Sequence, residues 1–143
     1  MRYLFLLLLF FVNSMHIHAQ KAVANDIVGK WINNNNDEII EISRSNNDEY
    51  VGKIIWLKEP NDENGNPRKD INNPDKKLRN RNVLGLQIIS GLIFEDNKWQ
   101  KDSLYSPDRG GTINCEFTPL SMNEISLKVS KGFFRSTKKW KRQ

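Results

Sequence analysis

The feature that most limits the fold is a period-two alternation in the last third of the chain. Ile113, Cys115 and Phe117 fall on one side, opposite Asn114, Glu116 and Thr118. Ile125, Leu127 and Val129 likewise oppose Ser126 and Lys128. Such alternation suits a strand with one buried face and does not suit a helix. With weaker patterning elsewhere, strands are expected at 29–33, 38–44, 50–58, 86–90, 98–105, 112–118, 124–130 and 134–141. Turn-forming clusters separate most of them: "NNNN" at 33–36, "SNND" at 45–48, "EDN" at 95–97, "SPDRGG" at 106–111 and "SMN" at 121–123. About eight short strands with tight connections point to an all-β antiparallel meander closed into one barrel, because closure removes exposed edges. A two-sheet sandwich is the alternative. No spacing suits a βαβ unit.

The opening residues indicate the compartment. Met1 and Arg2 precede an apolar run of ten residues, Tyr3–Val12, and the small residue Ala19 follows. This is the layout of a secretory signal peptide, expected to cover 1–19, with a single domain over 20–143. The apolar run is too short to span a bilayer, which needs about 20 residues. The mature chain is therefore expected in the periplasm or outside the cell. It would carry 21 basic and 17 acidic residues once Arg2 leaves with the leader. Much of that basic excess lies near the end, at Lys128, Lys131, Arg135, Lys138, Lys139, Lys141 and Arg142. With no aromatic-interleaved motif beside it, this reads as a solvated strand face drawn weakly to anionic envelope surfaces. It does not read as a nucleic-acid site.

His16 and His18 both lie in the leader, and Cys115 is the single cysteine. An intrachain disulfide, a Cys/His zinc site, and Ser-His-Asp or Cys-His catalysis are thereby excluded from the mature chain. Among familiar hydrolytic schemes, mainly paired carboxylates survive, with Glu41, Glu59, Asp62, Asp70, Asp75 and Asp108 available. Asp62, Asn64 and Asn66 alternate like calcium-loop ligands, but Gly65 is out of place and Asn73 stands where a bidentate Glu belongs. "NDENGNP" therefore reads as a turn. No catalytic residue, metal or cofactor is expected.

The third strand and its sequel are unusual. Tyr50, Gly52, Ile54 and Trp56 alternate with Val51, Lys53, Ile55 and Leu57, so both faces are largely apolar. A long polar connection follows, expected to carry one short helix from Pro74 to Asn80 and to cover or flank the barrel mouth. Its ordering is assigned to Glu59, Asp70, Asp75, Arg79 and Arg81 as lid or loop anchors, held by hydrogen bonds and ion pairs.

Four segments, "IVGKW" at 27–31, "GKIIWLKEP" at 52–60, "NNPDKKLRNRNVLG" at 72–85 and "RSTKKW" at 135–140, resemble a family of exported bacterial proteins catalogued as a domain of unknown function. The resemblance implies a lipocalin-like (calycin-type) barrel and no established activity. The family tends to read Tyr-Asp-Pro and Gly-Lys-Thr-Tyr where this chain has Tyr105-Ser106-Pro107 and Gly110-Gly111-Thr112-Ile113. Gly29-Lys30-Trp31 also resembles the lipocalin opening signature, whose Trp packs at the closed barrel end beneath a basic side chain. Arg135 or Arg142 would supply that cation. The expected function is non-enzymatic binding of a small hydrophobic or amphipathic ligand, with Trp31, Tyr50, Ile54, Trp56, Trp99, Tyr105, Phe117 and Arg135 as its binding residues. The alternatives are a filled envelope-interaction module, which would contact protein or polysaccharide, and a carboxylate-dependent hydrolase.

Overall fold

The computed structural model describes residues 23–143, so the leader reading at 1–19 lies outside it. Eight strands run β1 (Gly29–Asn33), β2 (Glu38–Arg44), β3 (Tyr50–Leu57), β4 (Gln87–Glu95), β5 (Lys98–Ser106), β6 (Gly111–Ser121), β7 (Glu124–Lys131) and β8 (Phe134–Arg142). Each pairs antiparallel with its sequence neighbour, and β8 returns to β1 to close the barrel. The sandwich alternative is thereby set aside.

Two strands depart from the expected bounds by more than one residue. β4 runs on to Glu95 because its register shifts twice against β3. Those irregularities put buried residues side by side, Ile88 with Ile89 and Gly91 with Leu92, which hides the alternation. β6 continues past Pro119, and its register with β7 shifts only after that residue.

The expected Pro74–Asn80 helix is reduced to one 3₁₀ turn, Lys76–Leu78. Asn73 Oδ1 accepts from the Asp75 backbone N–H, and Asp75 Oδ1 accepts from that of Lys77, each at 2.9 Å. These side chains satisfy the backbone locally, where a longer helix would otherwise be needed. "NDENGNP" is a turn as expected: Asp62 Oδ1 accepts from the Asn64 and Asn66 N–H groups, each at 2.9 Å.

One end of the barrel is plugged by a second 3₁₀ turn, Ala24–Ile27. Trp31 Nε1 donates to Ile27 O at 2.7 Å, Trp99 Nε1 to Ala24 O at 2.8 Å, and the Tyr50 hydroxyl to Asn25 Oδ1 at 3.1 Å. Arg142 completes the seal. Its guanidinium lies 4.3 Å from the Trp31 ring and donates to Val28 O, Asp26 O and Met122 O. The cation of the opening signature is thus Arg142; Arg135 lies near the far end of β8, exposed to solvent.

Gly29 explains the glycine of that signature. Its φ is +136°, and a Cβ there would stand 2.6 Å from Arg142 Nη1. Gly29→Ala is expected to displace the guanidinium and to cost ~2 kcal/mol, from backbone strain plus the lost contact. Urea unfolding followed by Trp fluorescence measures this. An unchanged midpoint would show that the barrel does not depend on this seal.

Candidate functional site

The barrel interior divides into two halves. Toward the plug, Trp31, Tyr50, Ile54, Trp99 and Phe117 are all at or below 1 % exposure and fill the lumen with Ile42, Leu92 and Ile125. Toward the other end a cavity of about 310 Å³ opens. Its apolar wall comes from Ile40, Ile88, Leu104, Ile113, Leu127 and Val129, with Trp140. Asp37, Glu38, Asp108, Arg109 and Lys138 carry the charge at its mouth. At about 30 Å³ per water-sized group, the space holds roughly ten such groups.

This partition separates the expected binding residues from the open-end cavity. Trp31, Tyr50, Ile54, Trp99 and Phe117 belong to the packed half and do not line the cavity; large aromatics near the plug serve better as filling. Trp56 points outward at 40 % exposure. Ile39 pairs with Trp56 while Ile40 pairs with Ile54, so Ile55 is an extra residue on β3. The bulge reverses the alternation and turns Leu57, not Trp56, inward. Arg135 is also outside. Of the expected ligand residues, only Tyr105 borders the cavity.

The residues that sequence reasoning passed over are Glu38 and Trp140. Glu38 shares parity with the buried Ile40 and Ile42, which places it on the lumen side of β2. Burial, then the neighbouring Asp108 and Asp37, push its pKa up to about 7 against the opposing pull of Lys138 and Arg68. Its neutral form is favoured by folding, so this contribution to stability is complete below 4.5 and is lost as pH rises through about 7. Trp140 is 4 % exposed, and its Nε1 has no hydrogen-bond partner among the described residues. Buried polar groups of this kind are rare, and leaving one unmet costs about 1–3 kcal/mol.

The long connection flanks the mouth without lining the cavity. Asp70 is fully buried and anchors it. Its Oδ1 accepts from the Tyr105 hydroxyl at 2.6 Å, and its Oδ2 from Asn73 Nδ2 and Arg81 Nε, both at 2.8 Å. Arg81 also stands over the Tyr105 ring at 5.2 Å. Arg79 Nε donates to Asn73 O at 2.7 Å, and Asp75 caps the 3₁₀ turn as above. Glu59 is exposed and borders a side groove with Lys58, Arg68 and Asp108. The β5–β6 turn docks against this connection: Asn72 Nδ2 donates to Asp108 O at 3.1 Å. Gly110, with φ +62°, permits it, because a Cβ would lie 1.8 Å from Asn72 O.

Two other depressions compete in size. One of about 480 Å³ lies on the outer wall and is lined largely by outward polar side chains, Asn114, Glu116 and Lys128 among them. Another of about 420 Å³ lies at the sealed end, bordered by the Trp31–Arg142 pair. The first lacks an enclosing apolar wall, and the second, though walled by Trp31, Trp99, Leu120, Met122 and Ile125, has its guanidinium already engaged by three backbone carbonyls, whereas the open-end cavity keeps polar groups turned toward its space. Among the described residues no group of three or more His, Cys, Asp or Glu side chains is arranged to hold a metal ion.

A closed eight-strand meander with one sealed end, a Gly-x-Trp opening and an arginine over that Trp defines a lipocalin-like barrel. The chain belongs to the family described as "Uncharacterized protein conserved in bacteria (DUF2147)", whose model matches residues 29–142. Among solved structures it is similar to protein HP1028 from Helicobacter pylori, described as belonging to the lipocalin family. That similarity has a TM-score of 0.67 at 22 % identity and covers 82 % of each chain. No curated protein matches the sequence.

Burial alone would raise the Asp70 pKa, but the hydrogen bonds from Tyr105, Asn73 and Arg81, with the charge of Arg81, lower it overall. Its stabilisation is therefore complete above 3.8 and is lost as pH falls through a still lower folded-state value. Asp70→Ala is expected to cost ~3 kcal/mol, since it strands Arg81 and two polar partners. Hydrogen exchange should rise across residues 68–83 in the variant while the strands stay protected. Unaltered exchange in that segment would refute the anchoring role.

Proposed function

We propose that this protein is an exported binding protein that takes a small apolar or amphipathic molecule into the open end of its barrel and does not transform it. One observation carries the reading: a cavity with an apolar wall sits beside a buried indole donor that has no partner among the described residues. The lipocalin-like fold is compatible with this use. The leader pattern supports export to the periplasm or beyond. Peripheral contact with the envelope is supported by Phe133, fully exposed at 108 % on the β7–β8 turn beside Lys131 and Arg135.

A second reading draws on the mouth carboxyls. Glu38, whose pKa of about 7 keeps a sizeable protonated fraction at neutrality beside Asp108, has the form of an acid paired with a base. Asp108 is engaged by Arg68 at 3.1 Å, which lowers its value as a nucleophile and leaves binding the better-supported function.

Native mass spectrometry of the chain purified from its own envelope should show a retained small molecule that leaves on denaturation. Leu127→Trp, which fills the cavity from its wall, should abolish that extra mass while the protein stays folded. An unliganded mass, together with failure to bind apolar fluorescent probes, would refute the binding function.

A further inference from the structure

A purely apolar guest would leave an inward carboxyl at the cavity mouth without a role. Negative groups facing Glu38 are Asp37 and Asp108; positive ones are Lys138 and Arg68. Arg109 lines the same cavity, and Lys58 and Glu59 border the adjoining groove. Most of these are committed elsewhere. Asn33 Nδ2 donates to Asp37 at 2.5 Å, Arg68 binds Asp108 at 3.1 Å, and Arg109 lies 4.2 Å from the Phe134 ring. Lys138 is exposed to solvent, and its pull does not return Glu38 to the ordinary carboxylate range. Among the described residues no donor meets the Glu38 carboxyl. The group that would complete it is a cation.

The second observation lies across the wall. Asn33 pairs with Trp140 on one side, while its hairpin partner strand carries Glu38 opposite Leu57. Trp140 and Glu38 thus stand two strands apart, roughly 10 Å around the barrel. The unpaired indole Nε1 needs an acceptor, and the cavity it borders is where one can approach.

Resting on the binding function above, we propose that the ligand is an amphipathic amine of about ten non-hydrogen atoms. Its cationic nitrogen seats on Glu38, and an oxygen acceptor at the far end of its apolar body takes the Trp140 Nε1 hydrogen. An alkylamine resembles the lysine side chain, whose pKa is about 10.4, and stays protonated throughout the useful pH range. The cation requires the ionised carboxylate, so binding releases a proton from Glu38 and strengthens as pH rises through about 7.

Isothermal titration of the full mature chain tests this with four probes of one chain length: an ω-amino amide, a plain alkylamine, a neutral alkyl amide and an alkyl carboxylate. The two amines should bind about tenfold more tightly at pH 8 than at pH 5.5, a change worth about one charge-assisted hydrogen bond. Glu38→Gln should remove that tenfold gain and flatten the pH profile without weakening the neutral amide. The variant should fold, because the neutral side chain is the form the site favours. Trp140→Phe should erase an advantage of about fivefold that the ω-amino amide holds over the alkylamine. If the carboxylate or the neutral amide binds as well as the amines, or if Glu38→Gln keeps the pH profile, the amine assignment falls and the cavity function stands. If no probe binds, both fall.

Discussion

The stacking of Arg142 on Trp31 is the contact on which the architecture turns. A cylinder of eight strands has two openings, and a small chain must seal at least one to exclude water from its core. Here a residue from β1 and one from the end of β8 meet face to face, at the seam where the barrel closes. The guanidinium also donates to the carbonyls of Asp26, Val28 and Met122. One side chain thus joins the first strand, the last strand, the 3₁₀ turn and the β6–β7 turn. A lysine would supply the charge without the planar fork that reaches several acceptors at once.

With that end sealed, the lumen can afford unequal halves. Aromatic bulk concentrates near the plug, where Trp31, Trp99, Tyr50 and Phe117 leave no room. Aliphatic side chains line the other half, where smaller volumes leave a cavity. The polar connection between β3 and β4 lies outside this space. Asp70 holds it to Tyr105 on β5 and to Arg81, so the connection is anchored beside the mouth.

Much of this was legible from residues alone, and the rest was hidden for identifiable reasons. Period-two patterning revealed β6 and β7 because both strands keep regular pairing over most of their length. The same rule misplaced Trp56, since a single extra residue at Ile55 reverses which side faces the core. Asp70, Asp75, Arg79 and Arg81 stood out as opposite charges close in sequence, yet Tyr105, 35 residues from Asp70, could not be paired with it by spacing. Glu38 follows an Asn-rich turn and reads there as an ordinary polar strand start. Trp140 sits within "KKWKR", where flanking cations mask an inward-facing position. A polar residue in phase with buried Ile40 and Ile42 was the available signal for Glu38, and it concerns parity, not composition.

The return of β8 to β1 also fixes where the polypeptide's extremities lie. Gln143 N donates to Lys30 O at 3.0 Å, and Val23 begins the 3₁₀ plug, so both extremities of the described chain gather beneath the sealed base. A leader, tether or fused partner joined at either extremity would hang from the floor of the cup, leaving the rim unobstructed and free to face whatever supplies its contents.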